Sequence, residues 1–129
     1  MLYTPITAFY GGLLGITFMY LSILVIKSRR SEKISLGHGE NPHFLGVIRA
    51  HGNFAEYVPL ILILMLVAEI NSAHEAVLHV TGAALVIGRI VHAYGLKHHS
   101  GVSWQRVSGM ILTFAALIGL SVQNILFLY

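Results

Sequence analysis

The chain has 129 residues, 56% hydrophobic and 10% charged, with a mean hydropathy of +0.76. A water-soluble domain carries about 25% charged residues, so this composition excludes an ordinary globular protein with a polar surface. The net charge of +3 and the pI near 9.5 come from basic residues clustered beside hydrophobic runs, which points to membrane topology rather than nucleic acid.

The first apolar segment spans residues 6–26 without a charge and ends at Lys27-Ser-Arg-Arg30. About 20 apolar residues cross a bilayer as a helix. The basic cluster follows the run, whereas a signal peptide carries its own before it, so the segment reads as a retained transmembrane helix. Gly11 and Gly15 are spaced to let a neighbouring helix approach closely, or coincide by chance in a Gly-rich helix. Residues 31–44 contain Gly37, Gly39 and Pro42 and read as a loop, with Asn41-Pro42 as a turn signal.

The second helix is expected over residues 45–69. Its first turns are polar, and Pro59 removes one backbone donor inside it. Arg49, Asn53 and Glu56 recur at i, i+4 and i+7, which stacks them on one helix face. A short acidic connection, Glu69 to Glu75, leads to a third helix over 76–94 containing His79, Arg89 and His92. A polar stretch from Gly95 to Ser103 reads as a loop, and the fourth helix covers 104–128 with Arg106 near its start. The expected architecture is therefore an all-α membrane protein, a four-transmembrane-helix bundle forming one domain over residues 1–129.

Every Lys and Arg lies in or beside the first and third loops, while the second carries only Glu69 and Glu75. With four spans, loops one and three share a side. The positive-inside rule makes that side cytoplasmic and places both termini opposite. Arg49, Asn53, Glu56, Arg89, His92 and Arg106 then converge at the cytoplasmic ends of three helices.

Charges inside a membrane are costly and pair or face a polar cavity. One account is structural: an Arg–Glu pair and an Asn hydrogen bond hold helices together. The other is a cationic pocket for an anionic ligand, because the planar Arg fork suits carboxylates. A metal centre is disfavoured. No His pair has i, i+4 spacing, and His79 and His92 stand about 20 Å apart along one helix. The absence of Cys excludes a disulfide framework and a protein-borne thiol nucleophile. His51 lies about 200° around the helix from Arg49 and is expected to face a different neighbour.

The pattern Arg49-Ala50-His51-x-Asn53-x-x-Glu56-Tyr57-x-Pro59, opening the second of four membrane helices, resembles the signature of the MAPEG family, the membrane-associated proteins in eicosanoid and glutathione metabolism. Gly88-Arg89-x-x-His92-x-Tyr94 is similar to that family's third-helix motif. The chain looks most like its short bacterial members of the microsomal glutathione transferase type. The resemblance implies a homotrimer in the bacterial inner membrane, with glutathione as co-substrate bound between subunits near the cytoplasmic face. It implies that Arg49, Asn53, Glu56 and Tyr57 contact the glutathione peptide and that Arg89 helps hold the site. It places His92 and Tyr94 where relatives set ring side chains on glutathione, and makes Arg106 the catalytic arginine that stabilises the thiolate. The implied reaction is conjugation to a small lipophilic electrophile reached through the lipid, with peroxidase activity as an extension. Leu45, Gly46 and Phe54 replace residues that some animal members carry, which argues against eicosanoid-specific chemistry. The alternative is a non-catalytic membrane protein of the same fold that binds a lipid or other anionic ligand. A small transporter fits less well, because there is no internal repeat.

Overall fold

A computed structural model describes residues 3–129. Four helices follow in order: α1 (Pro5–Glu32), α2 (Pro42–Ile70), α3 (Glu75–His98) and α4 (Trp104–Leu126). All four are long and apolar enough to cross a membrane. The described residues contain no strand. The chain is thus an all-α bundle of four membrane-length helices.

The ends of α1, α2 and α3 run past the expected segments, each for a local reason, while α4 stops at Leu126, two residues short of the expected 128. α1 continues through the Lys27–Arg30 cluster, since Lys and Arg are good helix formers and favour the negative end of the helix dipole. It stops where Lys33 turns left-handed, with φ of 57°. α2 starts three residues before the expected 45. Asn41 is its N-cap and accepts a hydrogen bond from the Phe44 amide at 3.1 Å, and Pro42 occupies the first turn. Asn41-Pro42 is therefore a helix start rather than a loop turn, because Pro lacks an N–H that the first turn would leave unpaired anyway. α3 carries on through Gly95, which packs against α4 instead of breaking the helix.

α2 and α3 form the centre of the bundle, each touching all three other helices, while α1 and α4 do not pack on each other. The α3–α4 contact is the most extensive. It depends on glycine at the crossing. A Cβ on Gly109 would stand 2.6 Å from the Gly88 carbonyl oxygen, and one on Gly88 would stand 2.9 Å from that of Gly109. Between membrane helices the apolar effect is weak, since lipid is as apolar as Leu, so close backbone packing supplies much of the association. Gly11 and Gly15 do not serve this purpose within the subunit. A Cβ at either would meet nothing within 4 Å, and both line an apolar cleft between α1 and α2.

Polar contacts tie the helices together at the end where the chain begins. Glu69, near the end of α2, accepts hydrogen bonds from the Ile6 and Thr7 amides at 2.9 and 2.7 Å. It caps the first turn of α1, whose own N-cap residue Thr4 makes no side-chain cap. Asn124 of α4 donates to the Leu64 carbonyl of α2 at 2.9 Å. Tyr10 bonds to the Nδ1 and backbone carbonyl of His79, both at 3.1 Å, linking α1 to α3.

Candidate functional site

The opposite end of the bundle holds the polar constellation. Arg49 and Glu56 are two turns apart, about 10 Å along α2, yet Arg49 Nη1 donates to Glu56 Oε1 at 3.3 Å and Nη2 to Oε2 at 3.4 Å. The pair lies flat over Gly52, where a Cβ would come within 3.5 Å of Arg49 Nη1. Both side chains stay about half exposed, at 49% and 52%. Asn53 sits between them in sequence but is turned toward α3, where its Oδ1 accepts a hydrogen bond from Arg89 Nη1.

Arg89 is the most deeply buried charged side chain among the described residues, 2% exposed. Burying a guanidinium is costly unless its donors are paired. Here no carboxylate neutralises it among the described residues. Its Nη1 donates to Asn53, its Nη2 to the Met110 sulfur at 3.2 Å, and its carbon lies 5.8 Å from the Tyr57 ring centre. Its Nε has no partner among the described residues. Arg89 thus joins α2 to α4 through α3 and retains unmet donor capacity.

His92, one turn further along α3, is buried, and its Nδ1 lies 2.9 Å from the backbone carbonyl of Arg106. That contact orients the ring. The adjacent Gly95 lets the head of α4 come close, since a Cβ there would stand 2.8 Å from Arg106 Cγ. Ser103 caps α4, accepting from the Arg106 amide at 3.3 Å. The Arg106 guanidinium turns back over the α3–α4 loop, where Nη1 donates to the Gly101 carbonyl at 2.6 Å. His92 and Arg106 line an open cleft of about 350 Å³ whose walls include Met110 and Phe114. Met110 is the residue that Arg89 touches, and the Phe114 ring meets that of Tyr57 edge-on at 5.7 Å. Asn53, Tyr57, Arg89, His92 and Arg106 therefore form one connected band across three helices, with Arg49 and Glu56 on the outer face of α2 beside it.

Tyr94 is placed elsewhere. Two residues along a helix is about 200° of rotation, so it points away from His92. It stacks on His98 with ring centres 4.1 Å apart, over a different crevice between α1 and α3. His51 does face another neighbour, α1, where it stacks on Phe18 at 4.7 Å and meets Ser22 Oγ at 3.1 Å. Met110 and Phe114 are cleft residues that the sequence does not mark. Apolar residues in an apolar helix carry no signal of their own, although both lie on the Arg106 face at i+4 and i+8.

The profile of the MAPEG family matches residues 7–126. The chain belongs to the MAPEG family. Inner membrane protein YecN of Escherichia coli strain K12 is 35% identical to it over 120 residues, which cover 93% of this chain and 90% of YecN. YecN of Escherichia coli O6:H1 matches to the same extent. The MAPEG match covers α2, α3 and α4 and all but the first two residues of α1, so both the second-helix and third-helix motifs lie inside it.

Proposed function

We propose that this protein is a membrane-bound glutathione transferase. The observation that carries the reading is that His92 and Arg106 line one cleft whose wall residues Met110 and Phe114 touch the group Asn53–Arg89–Tyr57 behind it, in a chain of the MAPEG family. Glutathione has two carboxylates, one ammonium and a thiol. Arg89 and Arg106 suit the carboxylates or a thiolate, and Glu56 suits the ammonium or keeps Arg49 in place. A free thiol has a pKa near 8.5, and a neighbouring guanidinium favours its charged form. The thiol proton leaves to solvent. The thiolate sulfur attacks the electrophilic carbon, the C–S bond forms, and the leaving group departs with the electron pair of the bond it breaks.

The same reading proposes a homotrimer. A half-exposed ion pair on a membrane-length helix is costly against lipid. Leu60 and Ile63 continue that exposed side of α2, at 53% and 57%. Cover by a neighbouring subunit removes Arg49 and Glu56 from lipid and brings a second wall to the cleft. An inner-membrane location, by similarity to YecN, and a cytoplasmic site, by the positive-inside rule, complete the proposal.

Turnover of a chloro-dinitrobenzene with glutathione by the detergent-purified protein tests it, alongside a calorimetric titration with glutathione. Arg106→Ala is expected to lower turnover about 10²-fold with helix content and elution volume retained. Unchanged turnover in that variant removes Arg106 from the thiolate role. One observation favours a non-catalytic binding protein: the Arg106 guanidinium is engaged by Gly101. Ligand retention with no turnover in the wild-type protein decides for that reading, and absence of glutathione binding overturns the transferase.

A further inference from the structure

The crevice beside Tyr94 lies outside the cationic band. It opens between α1 and α3 with α2 as its floor, encloses about 300 Å³, and is walled by Thr17, Leu21, Leu24, Val47, Ala50 and Ala93. From Thr17 to Leu24 it runs about 10 Å along the helix axis. Tyr20, Ile90 and Tyr94 border it at 54%, 51% and 53% exposure, so its mouth opens on the apolar flank of the bundle. Toward the loops its wall changes from apolar to cationic. Lys97 and His98 line the crevice and also a polar basin of about 380 Å³, whose other walls include Asn41, His43, His99 and Ser100. No acidic residue lines either space. Tyr94, stacked on His98, fixes one ring of the basin at the boundary.

An apolar slot that shares Lys97 and His98 with a polar basin at the level of the loops matches one kind of molecule in a bilayer. We propose that this is a binding site for an anionic phospholipid of the leaflet bordering the first and third loops. One acyl chain occupies the slot, and the phosphate lies among Lys97, His98 and His43. The charge complementarity is one-sided: a zwitterionic headgroup would bring its ammonium into a basin that offers it no carboxylate. The site is separate from the glutathione band, because Tyr94 and His92 face different sides of α3.

Native mass spectrometry of the detergent-purified protein with phosphatidylglycerol and phosphatidylcholine of identical chains reads the preference. Phosphatidylglycerol adducts are expected to exceed phosphatidylcholine adducts, and Lys97→Gln is expected to cut that excess roughly fivefold. Ala93→Trp fills the slot and is expected to abolish adducts of both lipids. Arg30→Gln removes a cation from the same end outside the crevice and is expected to leave the preference intact. Equal retention of the two lipids, equal losses from Arg30→Gln and Lys97→Gln, or stronger capture of a free fatty acid than of phosphatidylglycerol overturns the proposal. So does full competition by soluble glycerol phosphate, which would mark an anion site with no role for the chain. Lys97 is half-buried at the rim, and Lys97→Gln keeps most of its side-chain length, so the test stays decisive even if the Trp variant does not fold. Glutathione affinity is read on the same variants and is expected to be unchanged, so failure of either proposal is seen independently of the other.

Discussion

Arg89 shows what a single residue contributes to this molecule. It is buried among an amide oxygen, a thioether and an aromatic ring, with no carboxylate beside it among the described residues. Such a cation is tolerated because its donors are partly met, and it is available because they are not all met. Asn53→Ala deletes the strongest of those partners and leaves the guanidinium buried. It is expected to destabilise the protein by about 1.5–3 kcal/mol, the range for hydrogen bonds to charged groups, read as a lowered unfolding temperature in detergent. An unfolding temperature equal to wild type would mean that Arg89 finds water or another acceptor in place of Asn53. Arg106 differs in kind. Its backbone carbonyl serves His92 while its side chain bonds the loop at Gly101, so removing the side chain tests the proposed thiolate role with little cost to the fold. Tyr94 and His92, two positions apart on one helix, face different surfaces of α3 within the subunit.

At the scale of the helices, two devices decide how elements meet. The first is the glycine crossing of α3 and α4, where Gly88 and Gly109 bring backbones together and Gly95 admits the head of α4. Gly109→Leu would force side-chain atoms into the Gly88 carbonyl and the His92 backbone. It is expected to cost at least about 1–3 kcal/mol and to displace Arg106 from His92, lowering both thermal stability and glutathione binding. Gly12→Ala is the matched control, because a Cβ there meets nothing within 4 Å. If the two variants unfold at the same temperature, the crossing is not set by glycine. The second device is the cap that α2 lends to α1. Glu69→Ala leaves the Ile6 and Thr7 amides without their acceptor. A loss of about 0.5–2 kcal/mol is expected, as for other caps, with faster hydrogen exchange confined to the first turn of α1 as the local signature. Exchange spread evenly over all four helices would assign Glu69 a different role.

At the scale of the whole molecule, the bundle is asymmetric in charge. One end carries the basic cluster, the band and the crevice beside Tyr94, while the other carries Glu69 and Glu75, the start of α1 and the end of α4. The outer face of α2 is the strongest sign of a larger assembly, because it exposes an ion pair on a membrane-length helix. Chemical cross-linking in intact membranes is expected to yield species up to trimer. Glu56→Lys places two cations on that face and is expected to shift the distribution toward monomer with a matching loss of glutathione affinity. Cross-linked products that stop at dimer, or a Glu56→Lys protein that assembles normally, would refute the trimer proposed here.

The sequence by itself determined the four membrane-length helices, because runs of about 20 apolar residues have no other stable arrangement in a bilayer. It also determined their family, through polar residues at helical spacing in the second and third segments, where each polar side chain in an apolar helix stands out. The helix ends were less legible, since Asn41-Pro42 and Gly95 carry the same local signal whether they break a helix or start and pack one. Only the tertiary structure decided which polar residues meet. Asn53 bonds Arg89 while its sequence neighbours Arg49 and Glu56 bond each other, a choice made by which side of α2 the third helix packs on. The close approach of α3 and α4 depends in turn on where glycines let backbones touch. Gly88 and Gly109 are used in this way and Gly11 and Gly15 within the subunit are not, a difference set by the partner across the gap, which spacing along one helix does not contain.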